Sequence, residues 1–179
     1  MILTRNAVVA DRWKIRKTLD ALGEFHPTGM RVVFTNGCFD VLHPGHIACL
    51  DFAKSQGDVL VVGLNSDVSV RRLKGPRRPI MCERDRATVL SSVRYVDFIS
   101  IFDEETPEGL IQAIVPDVLV KGSEYEDKPV AGREFVEGTG GRMAFFCMVP
   151  GQSTTSVFER VLSLSSEDNL RDELNKRPL

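Results

Sequence analysis

What this 179-residue sequence lacks narrows the reading first. No apolar run approaches the roughly 20 residues that span a bilayer, so no membrane partner is expected. The opening, "MILTRNAVVADRWKIRK", interrupts its apolar residues with charges. It lacks the order of a secretory signal, and a cytoplasmic protein is expected. The four cysteines, Cys38, Cys49, Cys82 and Cys147, form no C-x-x-C pair. Reduced thiols are expected in that compartment rather than disulfides. Charge is short as well: 23 Lys and Arg against 25 Asp and Glu leave a net charge of -2. That gives no reason to expect nucleic acid as a partner. No G-x-x-x-x-G-K-[ST] is present, which excludes a P-loop, and G-x-G-x-x-G is missing too. There is no internal repeat.

What is present is an ordinary globular mix, 42% hydrophobic and 27% charged, in a chain of about one domain's length. "DRWKIRKTLDAL" predicts a helix presenting Trp13, Ile15, Leu19 and Leu22, stopped by Gly23. "MRVVF" predicts a strand ending at Asn36-Gly37. Pro44 suits the first turn of a helix, in which Ile47, Leu50 and Ala53 share a face before Gly57. "DVLVVGL", apolar at nearly every position, predicts a strand covered on both faces. A basic segment, a helix over 84–93 and the strand "VDFISI" follow. Next come the helix "ETPEGLIQAIV", the strand "DVLV", a short helix in "GREFVEGTGG", the strand "RMAFFCMV" and the helix "STTSVFERVLSL". This alternation predicts an α/β fold: a Rossmann-like, doubly wound parallel sheet of five strands with helices on both faces. The expected organisation is an N-terminal helical extension over 1–29, the main domain over 30–164 and a polar tail over 165–179.

Such sheets bind ligands beyond the carboxyl ends of their strands. The first strand ends in Thr35, Asn36 and Gly37, followed by Phe39, Asp40, His43 and His46. The second ends in Asn65-Ser66-Asp67, the fourth in Lys121, Gly122 and Glu124, and the fifth in "GQSTT" with Ser153, Thr154 and Thr155. Between them Arg71, Arg72, Lys74, Arg77 and Arg78 crowd a segment with Gly75 and Pro76. Taken singly these are unremarkable: the Ser/Thr run is an N-cap, and the basic run is a solvated surface. Together on one edge they describe a cleft. His43 and His46 could serve a metal, act as a general base, or aim donors at a phosphate. A structural zinc site takes four ligands, and the remaining histidine, His26, precedes the first strand and is poorly placed for it. Exposed N–H groups at a helix start, with a basic segment over them, suit a polyphosphate.

"HPGH" at 43–46 resembles the HxGH signature of the nucleotidyltransferase superfamily that includes cytidylyltransferases, and "STT" at 153–155 resembles its second signature. The resemblance is closest to the adenylyltransferase domain of ADP-heptose synthases. It is carried by "VVFTNGCFDVLHPGH", "GDVLVVGLNSDVSVRRLKGPRRPI", "RYVDFISIFDEETPEGLI", "PDVLVKGSEY", "VAGREFVEGTGG" and "GQSTTSVFERV". It implies transfer of AMP from ATP to a sugar 1-phosphate, giving ADP-heptose and pyrophosphate by direct in-line attack. It also implies Mg²⁺ with ATP, a homo-oligomer, and a place in lipopolysaccharide precursor synthesis. By resemblance His43 and His46 hold phosphates, and Lys74 neutralises their charge. Thr35 to Phe39 give backbone contacts, and Asp40 orients the loop or a histidine. Asn65 and Asp67 border the nucleotide, Arg86 meets phosphates, and Lys121, Gly122 and Glu124 border the base and ribose. Ser153, Thr154 and Thr155 hold the β- and γ-phosphates. Three departures stand out, one of them Gln152, which stands where relatives show an aromatic or another residue. Phe158 occupies the place of the second signature's basic residue, for which Arg160 is a candidate substitute. Glu124 stands where relatives show Asp. The alternatives are a related cytidylyltransferase acting on glycerol 3-phosphate, and a non-catalytic nucleotide-binding module.

Overall fold

The structure, a computed structural model, describes residues 7–24, 29–147, 151 and 154–165. Its elements are β1 Val8–Val9, α1 Arg12–Gly23, β2 Val32–Gly37, α2 Pro44–Ser55, β3 Val59–Asn65, α3 Asp67–Lys74 and α4 Glu83–Ser91. They continue as β4 Phe98–Phe102, α5 Glu108–Ile114, β5 Val118–Gly122, α6 Arg133–Gly138, β6 Arg142–Phe146 and α7 Thr154–Ser165. A single 3-10 turn, Ser123–Tyr125, follows β5.

The strands form one parallel sheet in the order β1-β4-β3-β2-β5-β6. It is the doubly wound α/β sheet expected, with one strand more than the five read from the sequence. The extra strand is two residues long, too short to show a period. Strands run outward from β2 through β3 and β4 on one side, and through β5 and β6 on the other. The order therefore reverses between β2 and β5, and the crevice at their carboxyl ends is where such a sheet takes a ligand.

β3 is buried at all seven positions, because helices cover both faces. Leu60, Val62 and Leu64 join Leu50 and Ala53 of α2 and Leu90 of α4 on one face. Val59 and Val61 join Ile15 and Leu19 of α1 and Leu110, Ile111 and Ile114 of α5 on the other. Three apolar residues expected inside are not, Leu22 at the end of α1 among them. Trp13 is 69% exposed, because two residues before Ile15 lies the opposite side of α1. Ile47 sits at the margin of the Leu50–Ala53 stripe and stays partly exposed. Caps fix the helix starts: Asp11 accepts from the Trp13 and Lys14 amides, and Ser66 from that of Ser69. α3 ends at Gly75, whose φ of 95° a side chain would resist.

Candidate active site

At the switch point lies a cavity of about 500 Å³, within the range of small-molecule sites. Its first wall is the turn from β2 into α2. The backbone passes through the left-handed region at Phe39 (φ 44°) and again at Val41 (φ 55°). For side-chain-bearing residues this costs about 1–3 kcal/mol each and must be held by neighbours. Asp40, between them, supplies the hold. Its buried carboxylate accepts from Arg78 Nε and Nη2 at 2.9 and 2.7 Å. It also accepts the amides of Ile80 and Met81 at 3.0 and 3.1 Å. Its carbonyl accepts from Thr154 Oγ1 at 2.9 Å. One residue thus joins the turn, the 75–82 loop and the start of α7. Asp40 ties the loop to its neighbours, and it also acts electrostatically on His46.

His43 is the residue before α2, yet its side chain makes no cap hydrogen bond. It faces the cavity with His46, one turn on. The rings stack with centroids 3.8 Å apart, and Phe39 lies 5.2 Å from His46. Burial lowers the pKa of His43. For His46, burial first and then the neighbouring His43 push it down to about 4, with Asp40 pulling the other way. Both rings are therefore neutral near pH 7. Two imidazoliums at this separation would repel, whereas a phosphate beside them would favour the charged form. Among the described residues, the buried Nδ1 of each ring has no hydrogen-bond partner, so the pair retains capacity for a ligand.

The second wall rises from β5. Lys121 Nζ donates to Asn36 Oδ1 at 2.6 Å, and Thr35 Oγ1 to the Val120 carbonyl at 3.2 Å, tying β2 to β5. Burial pushes the Lys121 ammonium down to about 8, against the opposing pull of Cys49 and Glu124. Glu124 folds back so closely that a Cβ on Gly122 would collide with its carboxylate. Burial also drives the Cys49 thiol up to about 11, so this cysteine is inert near neutrality.

The third wall carries positive charge and small donors: Asn65 at the end of β3, Lys74 at the end of α3, Arg78, and Thr154 and Thr155 opening α7. Arg71 and Arg72, read from sequence as part of one basic loop with these, belong instead to α3, and Arg72 bonds the Asp103 carbonyl. Arg160, the candidate substitute for the second signature's basic residue, is exposed and does not line the cavity.

Among the described residues two expected site residues, Arg86 and Asp67, do not line the cavity. Arg86 is fully buried, with Nη2 2.8 Å from Asp67 Oδ1, Nη1 2.5 Å from the Cys38 carbonyl and Nε 3.0 Å from that of Met81. It is turned inward because α4 packs on the sheet, and the carbonyls of two loops need its donors. Ser153, together with Gln152 and His26, falls outside the described residues. The sequence reading missed Cys49, Leu73 and Phe146 among the lining residues. Cys49 was within reach, being one turn beyond His46 on the same helix. Phe146 gave no signal beyond its strand. Among the described residues no group of three or more His, Cys, Asp or Glu could hold a metal, and no helix is long and apolar enough to cross a membrane.

Comparison with known proteins agrees with this fold. The chain is 48% identical over 150 residues to the bifunctional protein HldE of Syntrophotalea carbinolica, covering 83% of this chain and 31% of that protein. It is 53% identical over 131 residues to HldE of Helicobacter acinonychis, covering 73% and 27%. The chain thus spans under a third of the length of these curated relatives. Among solved structures, a lipopolysaccharide core biosynthesis protein from Thermoplasma volcanium superposes with a TM-score of 0.54 at 29% identity, over 68% of this chain and 98% of that one. Pantothenate synthetase from Thermus thermophilus shares the fold, with a TM-score of 0.53 at 17% identity, over 79% and 62%. The cytidylyltransferase-like family model matches residues 34–141, from within β2 to the turn before β6. That match covers more than half of the chain and takes in both histidines, and the protein belongs to the cytidylyltransferase-like family of nucleotidyltransferases.

Proposed function

We propose that this nucleotidyltransferase moves AMP from ATP to a heptose 1-phosphate, giving ADP-heptose and pyrophosphate. The observation that carries the reading is the stacked, neutral imidazole pair at the head of a cavity with cations at one wall. The half-identical HldE relatives and the resemblance to heptose-phosphate adenylyltransferases support the choice of acceptor.

A phosphate oxygen of the acceptor attacks the α-phosphorus. The bond from that phosphorus to the bridging oxygen breaks, and its electron pair leaves with pyrophosphate. The acceptor phosphate is already an anion near pH 7, so the step needs no general base. Charge instead builds on the α-phosphoryl oxygens and the leaving group. Donors fixed in a partly dry site stabilise that charge. His43 and His46 serve the α-phosphoryl group, and Lys74, Thr154 and Thr155 serve the departing phosphates. Asn36, Gly37, Lys121 and Glu124 border the nucleoside, and Asn65 lies on the opposite wall.

ATP enters as its Mg²⁺ complex. Asp40 is already engaged by a guanidinium and two amides. The cation accordingly rides on phosphate oxygens and water, as Mg²⁺ commonly does. The catalytic unit is proposed to be a homo-oligomer in the cytoplasm, which light scattering on the purified chain addresses.

Pyrophosphate release tests the assignment, measured with ATP or CTP and Mg²⁺ over heptose 1-phosphate, other sugar phosphates and glycerol 3-phosphate. Release with ATP and the heptose phosphate alone is expected. Preference for CTP and glycerol 3-phosphate would move the protein to the cytidylyltransferase branch. No release from any pair would overturn the reading.

A further inference from the structure

Arg78 stands where three segments meet. Its Nε and Nη2 both reach one oxygen of Asp40, at 2.9 and 2.7 Å. One face of its guanidinium lies over the Phe158 ring, 5.3 Å from the centroid. Asp40 is only 1% exposed and is pinned from the other side by the Ile80 and Met81 amides. Arg78 is therefore held along one edge and on one face, while it lines the cavity beside Lys74, Thr154 and Thr155.

Thr154 and Phe158 are four residues apart and share a face of α7. The guanidinium thus rests against the first turns of that helix, at the end where the dipole favours an anion. A guanidinium already fixed in place loses little further freedom when it binds. The contacts that fix it use Nε, Nη2 and one face. The Nη1 end lies on the side away from Asp40, and among the described residues its two N–H donors meet no acceptor.

We infer that Arg78 binds the terminal phosphates of the nucleoside triphosphate, offering Nη1 at the first turn of α7 with Phe158 as its platform. The inference rests on the cavity being a triphosphate site, as proposed above. It assigns the positive charge at this helix to a segment some 75 residues earlier in the chain, which accounts for an aromatic residue at position 158. Asp40 then becomes a positioning residue: it touches no phosphate but aims the group that does.

Calorimetry on the whole chain with the Mg²⁺ complexes of ATP and pyrophosphate, and with AMP, separates the roles. Arg78→Gln should weaken ATP and pyrophosphate about ten- to hundredfold, the scale of a charged hydrogen bond, and leave AMP within about twofold. Arg78→Lys, which keeps the charge but loses the fork, should fall between. Phe158→Leu should cost ATP and pyrophosphate about two- to fivefold, the scale of an exposed cation–π contact, and AMP nothing. If Arg78→Gln does not fold, the Lys and Leu variants decide. An equal loss for AMP would make Arg78 a purely structural residue, and unchanged ATP binding in the variants would overturn the inference alone. An unaltered protein that binds neither ATP nor pyrophosphate would overturn the proposed function with it.

Discussion

Two carboxylate–arginine pairs, one on the cavity and one behind its loops, are built in opposite ways. In Asp40–Arg78 the carboxylate is buried, and the arginine keeps 20% of its side chain exposed. In Asp67–Arg86 the arginine is wholly buried, and the carboxylate keeps 22%. Each buried partner gathers its bonds from the protein alone. Arg86 feeds the carbonyls of Cys38 and Met81, and Asp40 collects the amides of Ile80 and Met81. The exposed partner is the one left for something else. Of the two arginines, Arg78 lines the cavity and carries its charge into it, so the first pair faces a ligand while the second holds the loops together.

The contrast is broken most severely at Arg86. Arg86→Met should cost about 3–5 kcal/mol of stability, read by urea unfolding, because it strands a carboxylate and two carbonyls. An effect on nucleotide affinity without loss of stability would place Arg86 back among the phosphate ligands. Next in size come the imidazoles that the Asp40 turn supports. His43→Ala or His46→Ala should each lower kcat about 10²–10³-fold with the melting temperature little changed, in the manner of a lost oxyanion donor. Turnover that survives both changes would remove their assigned role. The carboxylates give the finest comparison. Asp40→Asn should lose about 1–3 kcal/mol of stability and weaken ATP as well, since it loosens Arg78. Asp67→Asn should lose about 1 kcal/mol or less and leave ATP binding unchanged, because the amide oxygen still accepts from Arg86. Equal effects of the two on nucleotide binding would erase the distinction.

The sequence carried the architecture because burial leaves a period. The two-sided run at 59–64, the Pro44 start and the Ser66 cap are local signals, and each element they predict is there. Val8–Val9 was illegible, since two residues have no pattern and the pairing with Phe98 and Ile99 is distant. Much of the cavity was also legible, because a parallel sheet sends every strand end to one edge. What sequence could not separate was which of two arginines faces the ligand. Arg78 looked like surface and Arg86 like a helix arginine over a phosphate. The partners that decide, Asp40 and Cys38, lie 38 and 48 residues away. Phe158 was visible only as a departure until the Arg78 guanidinium was found above its ring.

The central claim is that His43 and His46 stand neutral and stacked until a triphosphate arrives between the helix starts. Nitrogen NMR of the imidazoles across pH, with and without Mg²⁺–ATP, tests it most directly. Without nucleotide, His46 should titrate at about 4, below the ordinary 6.5, because burial and its neighbour oppose the charge. With nucleotide its titration should move upward, so that a proton is taken up on binding between about pH 4 and the raised midpoint. Ring signals and a titration midpoint that ignore saturating nucleotide would contradict the account.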